Sequence, residues 1–311
     1  MTRTILTSDD ILRHGLALMD VPPAVQAGRS KANNYEVFRA HYGAGPTSVA
    51  AMWDDLCTTD IEKSKLGDKE KGQKGLTYLF MALFFLFTYP KNRYLMATRF
   101  CKCDKYTSGK QLWTWVSRVA GLAGKVIRFP PECKTNGDEF LIAVDCRDHK
   151  IWEVKHPEFN LDSGYGSQKL GMHSALKYEL AVATFHDQIV WINGPFKATR
   201  HDITIFRHDG LKQKLQQDYP DGLVVCDLGY RTSEPDEGML AFPNSKDPPA
   251  LKKFKSLCRC REEDINARMS KFMILSREFT HGKKKHKECF AACAVIIQYQ
   301  LNNGDAFLTK M

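Results

Sequence analysis

Two short apolar runs in this chain each end in an aspartate. "FLIAVD" leads to Asp145 and "LVVCD" leads to Asp227. A carboxylate at the end of a buried strand loses hydration, and it either finds a cation or takes up a proton. If the two strands are neighbours, the carboxylates converge at one edge of a sheet, where open α/β folds place their sites. Two close carboxylates repel, and a divalent cation removes the conflict. Hard oxygen ligands suit Mg²⁺ or Mn²⁺. A third acid is available in "RCREEDINARMSKF", where Glu262, Glu263 and Asp264 open a predicted helix. Acids in a first helical turn are also favoured by the helix dipole, so the segment has two readings. His201-Asp202 is a further candidate. Asp202 opens "DITIFR" and is expected to cap that helix, with a place near the acidic site as the alternative. Glu153, on an expected strand "KIWEVKH", faces either the acids or, one residue out of phase, the other side of the sheet.

The third acid is flanked by basic clusters. "KKFKSLCRCR" carries Lys252, Lys253, Lys255, Arg259 and Arg261, and "GKKKHK" carries Lys283, Lys284 and Lys285. Such side chains can hold nucleic-acid phosphates across a site, or simply solvate a surface. The whole chain carries a net charge of +9, which suits a polyanionic partner. The ten cysteines are scattered and read as reduced thiols. Cys101/Cys103 and Cys258/Cys260 have C-x-C spacing, a weak zinc signal. No Gly-x-Ser-x-Gly elbow and no phosphate-binding P-loop occurs, which lowers serine-hydrolase and P-loop nucleotide readings.

The elements that must position these residues follow from periodicity. Buried strands are predicted at 140–146, 175–185, 188–196 and 222–226, and an alternating one at 150–156 after a tight turn. Helices are predicted over 201–217, 261–276 and 286–302, with 232–253 as a Pro-rich loop. The expectation is a mixed α/β sheet covered by helices. Ahead of it, 36–128 reads as a small helical region. A helix starts at Pro46, with Val49, Met52, Trp53 and Leu56 at helical spacing. Two more cover 76–88 and 107–127. This region can hold a helix-turn-helix. Residues 1–35 read as a polar segment. "MTRTILTSDDILRHG" is not a signal peptide, and the apolar run 76–90 is too short for a bilayer, so a membrane partner is not expected.

Residues 139–308 resemble the nuclease domain of PIF/Harbinger-type DDE transposases and their domesticated relatives. The resemblance rests on "AVDCRDHKIWE", "INGPFKATRHDITIF", "VVCDLGYR", "RCREEDINARMSKF" and "CFAACAVIIQYQLNN". Gly194, Pro195, His201, Asp202, Phe206, Asp227, Gly229 and Tyr230 fall on family positions. Cys146 stands where the family usually has Gly, and Glu262 where it has His. The resemblance implies an RNase H-like fold and an Asp145, Asp227, Glu263 triad holding divalent metal, with His201, Asp202 and Glu262 nearby. It implies two-metal cleavage of DNA and strand transfer in the nucleus. A separate DNA-binding partner protein and a homodimer fit that activity. The alternative is a domesticated DNA-binding or interaction protein that no longer transposes.

Overall fold

A computed structural model describes residues 5–58, 69–92, 94–102, 104–131, 140–152, 165–171, 173–231 and 238–308. Glu153, Cys103 and most of the strand expected at 150–156 lie outside the described residues. The chain divides into two compact units. One comprises 1–126 with 271–274 and 288–305, and the other 127–270 with 275–287 and 306–311.

The first unit is helical: α1 (Ser8–Leu18), α2 (Pro23–Gly28), α3 (Lys31–Tyr42), α4 (Pro46–Thr58), α5 (Lys69–Thr88), the single turn α6 (Tyr94–Met96) running into a π-helical turn (Ala97–Cys101), α7 (Lys105–Gly121) and α8 (Ala123–Val126). The polar opening segment, 1–35, thus contains α1, α2 and the start of α3. Thr7 and Asp10 form a reciprocal capping box that starts α1, and Ile11, Leu12 and Leu16 turn its apolar face inward. On α4 the buried residues include Val49, Met52, Trp53 and Leu56, the stripe visible in the sequence. Trp53 stacks on Trp115 of α7, with ring centroids 5.9 Å apart. From Leu79 to Leu86, α5 is buried at every position but Phe84, so it is a core helix and not an amphipathic one. No helix among the described residues is long and apolar enough to cross a membrane.

The second unit is a mixed, open sheet flanked by helices. Its strands are β1 (Phe140–Lys150), β2 (Gly166–Ser167), β3 (His173–Ala183), β4 (Ile189–Lys197), β5 (Leu223–Cys226) and β6 (Leu240–Ala241). β3 lies antiparallel between β1 and β4, with β2 beside its start, while β5 and β6 run parallel to β1 on the other side. The helices are α9 (Asp202–His208), α10 (Leu211–Asp218), α11 (Pro249–Ser270), the short α12 (Met273–Ser276) and α13 (Lys283–Asn302), the last shared with the helical unit.

Alternation along β1 builds the unit. Ile142, Val144 and Cys146 enter one apolar cluster with Val224, Cys226, Ile205, Phe206, Leu211 and Leu215, so α9 and α10 cover that face. Asp145 and Arg147 have the opposite phase. There the Arg147 guanidinium donates to the Asn266 carbonyl of α11 at 2.6 Å.

Five predicted boundaries change. The turn expected before residue 150 is absent, and β1 pairs with β3 through Lys150↔Ala175. Its polar stretch looked like a turn, yet each side chain has a partner. Arg147 reaches α11, Asp148 accepts from Ser167, and His149 Nδ1 meets the Leu275 carbonyl at 3.0 Å. The helix expected over 201–217 breaks at Gly210, whose φ of +108° is a conformation glycine tolerates. β6 forms inside the expected loop. α11 begins at Pro249, well before residue 261, because proline is tolerated in a first helical turn. Finally, α13 begins at Lys283 and not at 286, so "KKKHK" lies at the start of the helix.

A buried carboxyl lies within this sheet. Glu179 of β3 pairs across from Cys146 and is fully enclosed. Burial raises its pKa to about 8, opposed by a hydrogen bond from Trp191 Nε1 at 2.9 Å and reinforced by Asp209 and Asp202. The folded state therefore keeps a proton that the unfolded chain has lost between the unfolded carboxyl range and pH 8. Stability from this group falls as pH rises through that window. Glu179→Gln should accordingly be near neutral at pH 4.5. It should gain stability over the wild type on the order of a few kcal/mol by pH 9. Urea denaturation of both proteins across that range checks this, and a pH-independent difference would refute it.

Candidate functional site

Parallel pairing of β1 with β5 ends at Val144↔Cys226. The next residue on each strand is an aspartate, so Asp145 and Asp227 sit side by side where β5 stops. Both are half-buried. Asp227 is extended and turns the chain, its Oδ1 accepting from Gly229 N–H at 2.8 Å to start a short 3₁₀ turn. Asp145 accepts from its own neighbour, Cys146 N–H, at 2.7 Å, and from Asn266 Nδ2 at 3.3 Å. Cys146, the residue that departs from glycine, points to the opposite face, where its Sγ lies 3.3 Å from the Tyr230 hydroxyl. It does not crowd the acids.

Burial raises the Asp145 pKa to about 6. Lys169 opposes this, and the charges of Asp227 and Asp202 add to the rise. The site thus holds a carboxyl that is costly to ionise beside a second one, the electrostatic situation a cation relieves.

Asp202 does not cap α9. His201 occupies the cap position without a side-chain hydrogen bond, and its side chain is exposed. The Asp202 carboxylate accepts instead from Lys177 Nζ of β3 at 2.8 Å, both side chains being 7% exposed. Lys177 also donates to the Arg200 carbonyl. Asp202 Oδ2 faces the acidic strand ends: a Cβ added to Gly229 would fall 2.9 Å from Asp227 Oδ1 and 3.1 Å from Asp202 Oδ2. The alternative reading of Asp202, near the acidic site, is therefore the observed one. Sequence reasoning missed Lys177, Glu179, Asp148 and Lys169. The signal was present, since Lys177 and Glu179 interrupt the otherwise apolar run "ALKYELAVA" at alternate positions, marking one sheet face.

The acids of α11 divide. Glu262 is buried, and its Oε1 has no hydrogen-bond partner among the described residues. Glu263 is exposed, and Asp264 pairs with Arg268 at 3.1 Å. Asn266, which reaches Asp145, lies one turn beyond Glu262 and Glu263 on the same helix. Among the described residues no group of three His, Cys, Asp or Glu side chains is gathered to hold a metal ion. The structure sets Asp145 and Asp227 in the residues that follow the Val144↔Cys226 pair, places Asp227 and Asp202 around Gly229, and carries Glu262 and Glu263 on the helix whose Asn266 reaches Asp145. The donor chemistry fits a hard divalent cation. Every acidic group is an oxygen donor, and buried carboxylate oxygens on Asp148 and Glu262 lack partners.

The basic residues also divide. Lys252, Lys253, Lys283 and Lys284 are exposed, and Lys285 is half-buried. The Lys283 ammonium lies 4.9 Å from the Tyr165 ring centroid. Arg259 and Lys252 line a cavity of about 320 Å³ with Asn244, Asp247 and Ser256. Lys255 and Arg261 have internal duties instead. Lys255 is buried and bonds to the Phe242 carbonyl and Asp247, each at 2.8 Å. Arg261 donates to the His186 carbonyl at 2.6 Å and pairs with Asp187 at 3.0 Å, its guanidinium 4.1 Å from the Phe307 ring centroid. Expecting a surface role for these two fails because a long cation also satisfies loop carbonyls. Cys258 is buried and Cys260 exposed on α11, where residues two apart diverge, so this pair cannot chelate one ion. Cys101 packs its Sγ 3.4 Å from Met81 Sδ.

Comparison of the chain with protein-family models, with curated proteins and with solved structures finds no match.

The seating of two aspartates around Gly229 has a direct test. Gly229→Ala forces Asp227 or Asp202 to move by several tenths of an ångström. It should cost about 1–3 kcal/mol of stability in denaturant unfolding. Unchanged stability would mean that the carboxylates do not crowd that residue.

Proposed function

We propose that this chain is a metal-dependent endonuclease of the PIF/Harbinger DDE type, its sheet unit an RNase H-like domain. The observation that carries the reading is the pairing of Asp145 and Asp227 at adjacent strand positions beneath a helix that bears two further glutamates. Asp145 and Asp227 would hold Mg²⁺ or Mn²⁺, with Glu263 as third ligand and Glu262 as its neighbour. A divalent ion bound there supplies a deprotonated nucleophile and charge stabilisation at the leaving oxygen of a phosphodiester.

The chain's own residues do the rest. Asp227 is fixed by its turn to Gly229, and Asp145 by Asn266, so neither carboxylate has to be ordered when substrate arrives. Asp202 is held by Lys177 behind them. Glu263 is exposed and is not gathered with the pair, so this reading requires it to move to them. The exposed Lys252, Lys253, Lys283 and Lys284, with Lys285 and Arg259, are suited to contact DNA phosphates without reading sequence. DNA is therefore the partner we assign, in the nucleus. A separate sequence-reading protein and a homodimer are the assemblies that paired cleavage would call for. The ungathered third acid favours one competing outcome, a domesticated DNA-binding protein with the same sheet.

Nicking of supercoiled plasmid in Mn²⁺ or Mg²⁺ separates the two. The wild type should nick, chelation should stop it, and Asp145→Ala or Asp227→Ala should lower the rate by roughly a thousandfold or more. Equal nicking by Asp227→Ala would sink the assignment. DNA binding by a folded wild type that never nicks would establish the domesticated reading.

A further inference from the structure

The acidic strand ends already contain a cation belonging to the chain. Lys169 sits in a 3₁₀ turn (Gln168–Leu170) directly after β2. Its ammonium lies 3.6 Å from Asp202 Oδ2 and 3.4 Å from the carbonyl oxygen of Cys146, the residue following Asp145. Its charge also acts on Asp145, Asp148 and Asp227. Asp148 belongs to the same arrangement: it is 9% exposed, its Oδ2 accepts from Ser167 Oγ at 2.5 Å, and its Oδ1 has no hydrogen-bond partner among the described residues.

The two lysines here differ in one decisive respect. Lys177 is 7% exposed and anchored at 2.8 Å to Asp202 Oδ1 and, at the same distance, to the Arg200 carbonyl. It is a permanent part of the sheet. The Lys169 side chain is 57% exposed and makes only long contacts, so it can swing into solvent without opening the core. Ser167 pins the turn that carries it, accepting from Leu170 N–H while donating to Asp148. Among the described residues, the cations acting on Asp145, Asp148, Asp202 and Asp227 are Lys169, Lys177 and, at Asp145, Arg147. Lys177 is committed to Asp202 and Arg147 to the Asn266 carbonyl.

Resting on the nuclease reading, we propose that Lys169 is a resident counter-ion of the acidic strand ends, which a divalent ion must displace to bind. The residue offsets the repulsion among the carboxylates in the metal-free protein and weakens metal binding because its charge repels a second cation beside the same acids. This is regulation of the site and not catalysis: Lys169 is a positioning residue.

Mn²⁺ binding to the full chain, read by the paramagnetic resonance of free ion at fixed pH, tests this. Wild type, Lys169→Met, Lys169→Gln, Lys169→Arg and Asp145→Asn are compared, each checked for fold by circular dichroism. Removing the ammonium should tighten Mn²⁺ binding roughly five- to tenfold in both the Met and Gln variants. Arg should keep wild-type affinity, and Asp145→Asn should weaken binding. Without metal, Lys169→Met should melt at a lower temperature than wild type and regain the difference on Mn²⁺ addition. Met and Gln variants that fold and bind Mn²⁺ no tighter than wild type overturn the counter-ion role. The nuclease reading survives that result so long as wild-type binding needs Asp145. Absence of Mn²⁺ binding from wild type and Lys169 variants alike overturns both.

Discussion

The register of β1 against β5 is the constraint from which the sheet unit's chemistry follows. Parallel pairing ends at Val144↔Cys226, and the residue that follows on each chain segment is an aspartate, Asp145 within β1 and Asp227 just past β5. A shift of one position would turn Asp145 into the apolar layer formed by Val144 and Cys146, where no cation is available. Burial of Ile142, Val144, Val224 and Cys226 thus fixes the acidic pair as strictly as any contact between the acids themselves. The repulsion they carry is the cost of that register, and the surrounding polar groups answer it.

How they answer it explains the sequence of β3. A strand with neighbours on both sides usually reads as continuous apolar residues. Lys177 and Glu179 break that rule, and each serves a carboxylate or is one. Lys177 balances Asp202, which reaches the sheet from the first turn of α9. Glu179, opposite Cys146 and fully enclosed, is kept protonated near neutral pH by burial, so it adds no further negative charge behind the site. Keeping one buried ion pair while neutralising the nearest buried acid limits the negative charge behind the site.

Much of this was legible in the sequence. The apolar run before each aspartate gave both strands and the end of β5 at Asp227, but β1 continues past Asp145 to Lys150. The spacing of Val49, Met52, Trp53 and Leu56 gave the buried face of α4. What was not legible depended on partners far away in the chain. Arg147, Asp148 and His149 looked like a turn because three polar residues seldom sit in a strand. Their partners, Asn266, Ser167 and Leu275, lie up to 126 positions away. Asp202 looked like a helix cap because local hydrogen bonding is all a sequence displays. Lys177, 25 positions earlier, competes for the same carboxylate and wins, since a buried charge gains more from an ammonium than from a backbone N–H. Periodicity could not reveal that Lys169, on a turn, reaches the same acids.

The distribution of positive charge follows the same logic. A net charge of +9 suggests a large cationic surface, yet several of the cations that seemed to form it are internal. Lys255 closes the turn before α11 on Asp247, Arg261 ties α11 to the β3–β4 connection, and Arg268 pairs with Asp264 while donating to the Ala306 carbonyl. Each of these residues is at most 9% exposed in its side chain. Their guanidinium and ammonium groups hold α11 to loops at both ends, and α11 is the element that brings Asn266 to Asp145. Removing such a residue would disturb the acidic site through helix placement before it altered any contact with a polyanion. A loss of DNA binding on mutating Lys255 or Arg261 would therefore report on the fold of α11. The same loss at Lys252, Lys253 or Lys284, which are exposed, would report on the surface itself.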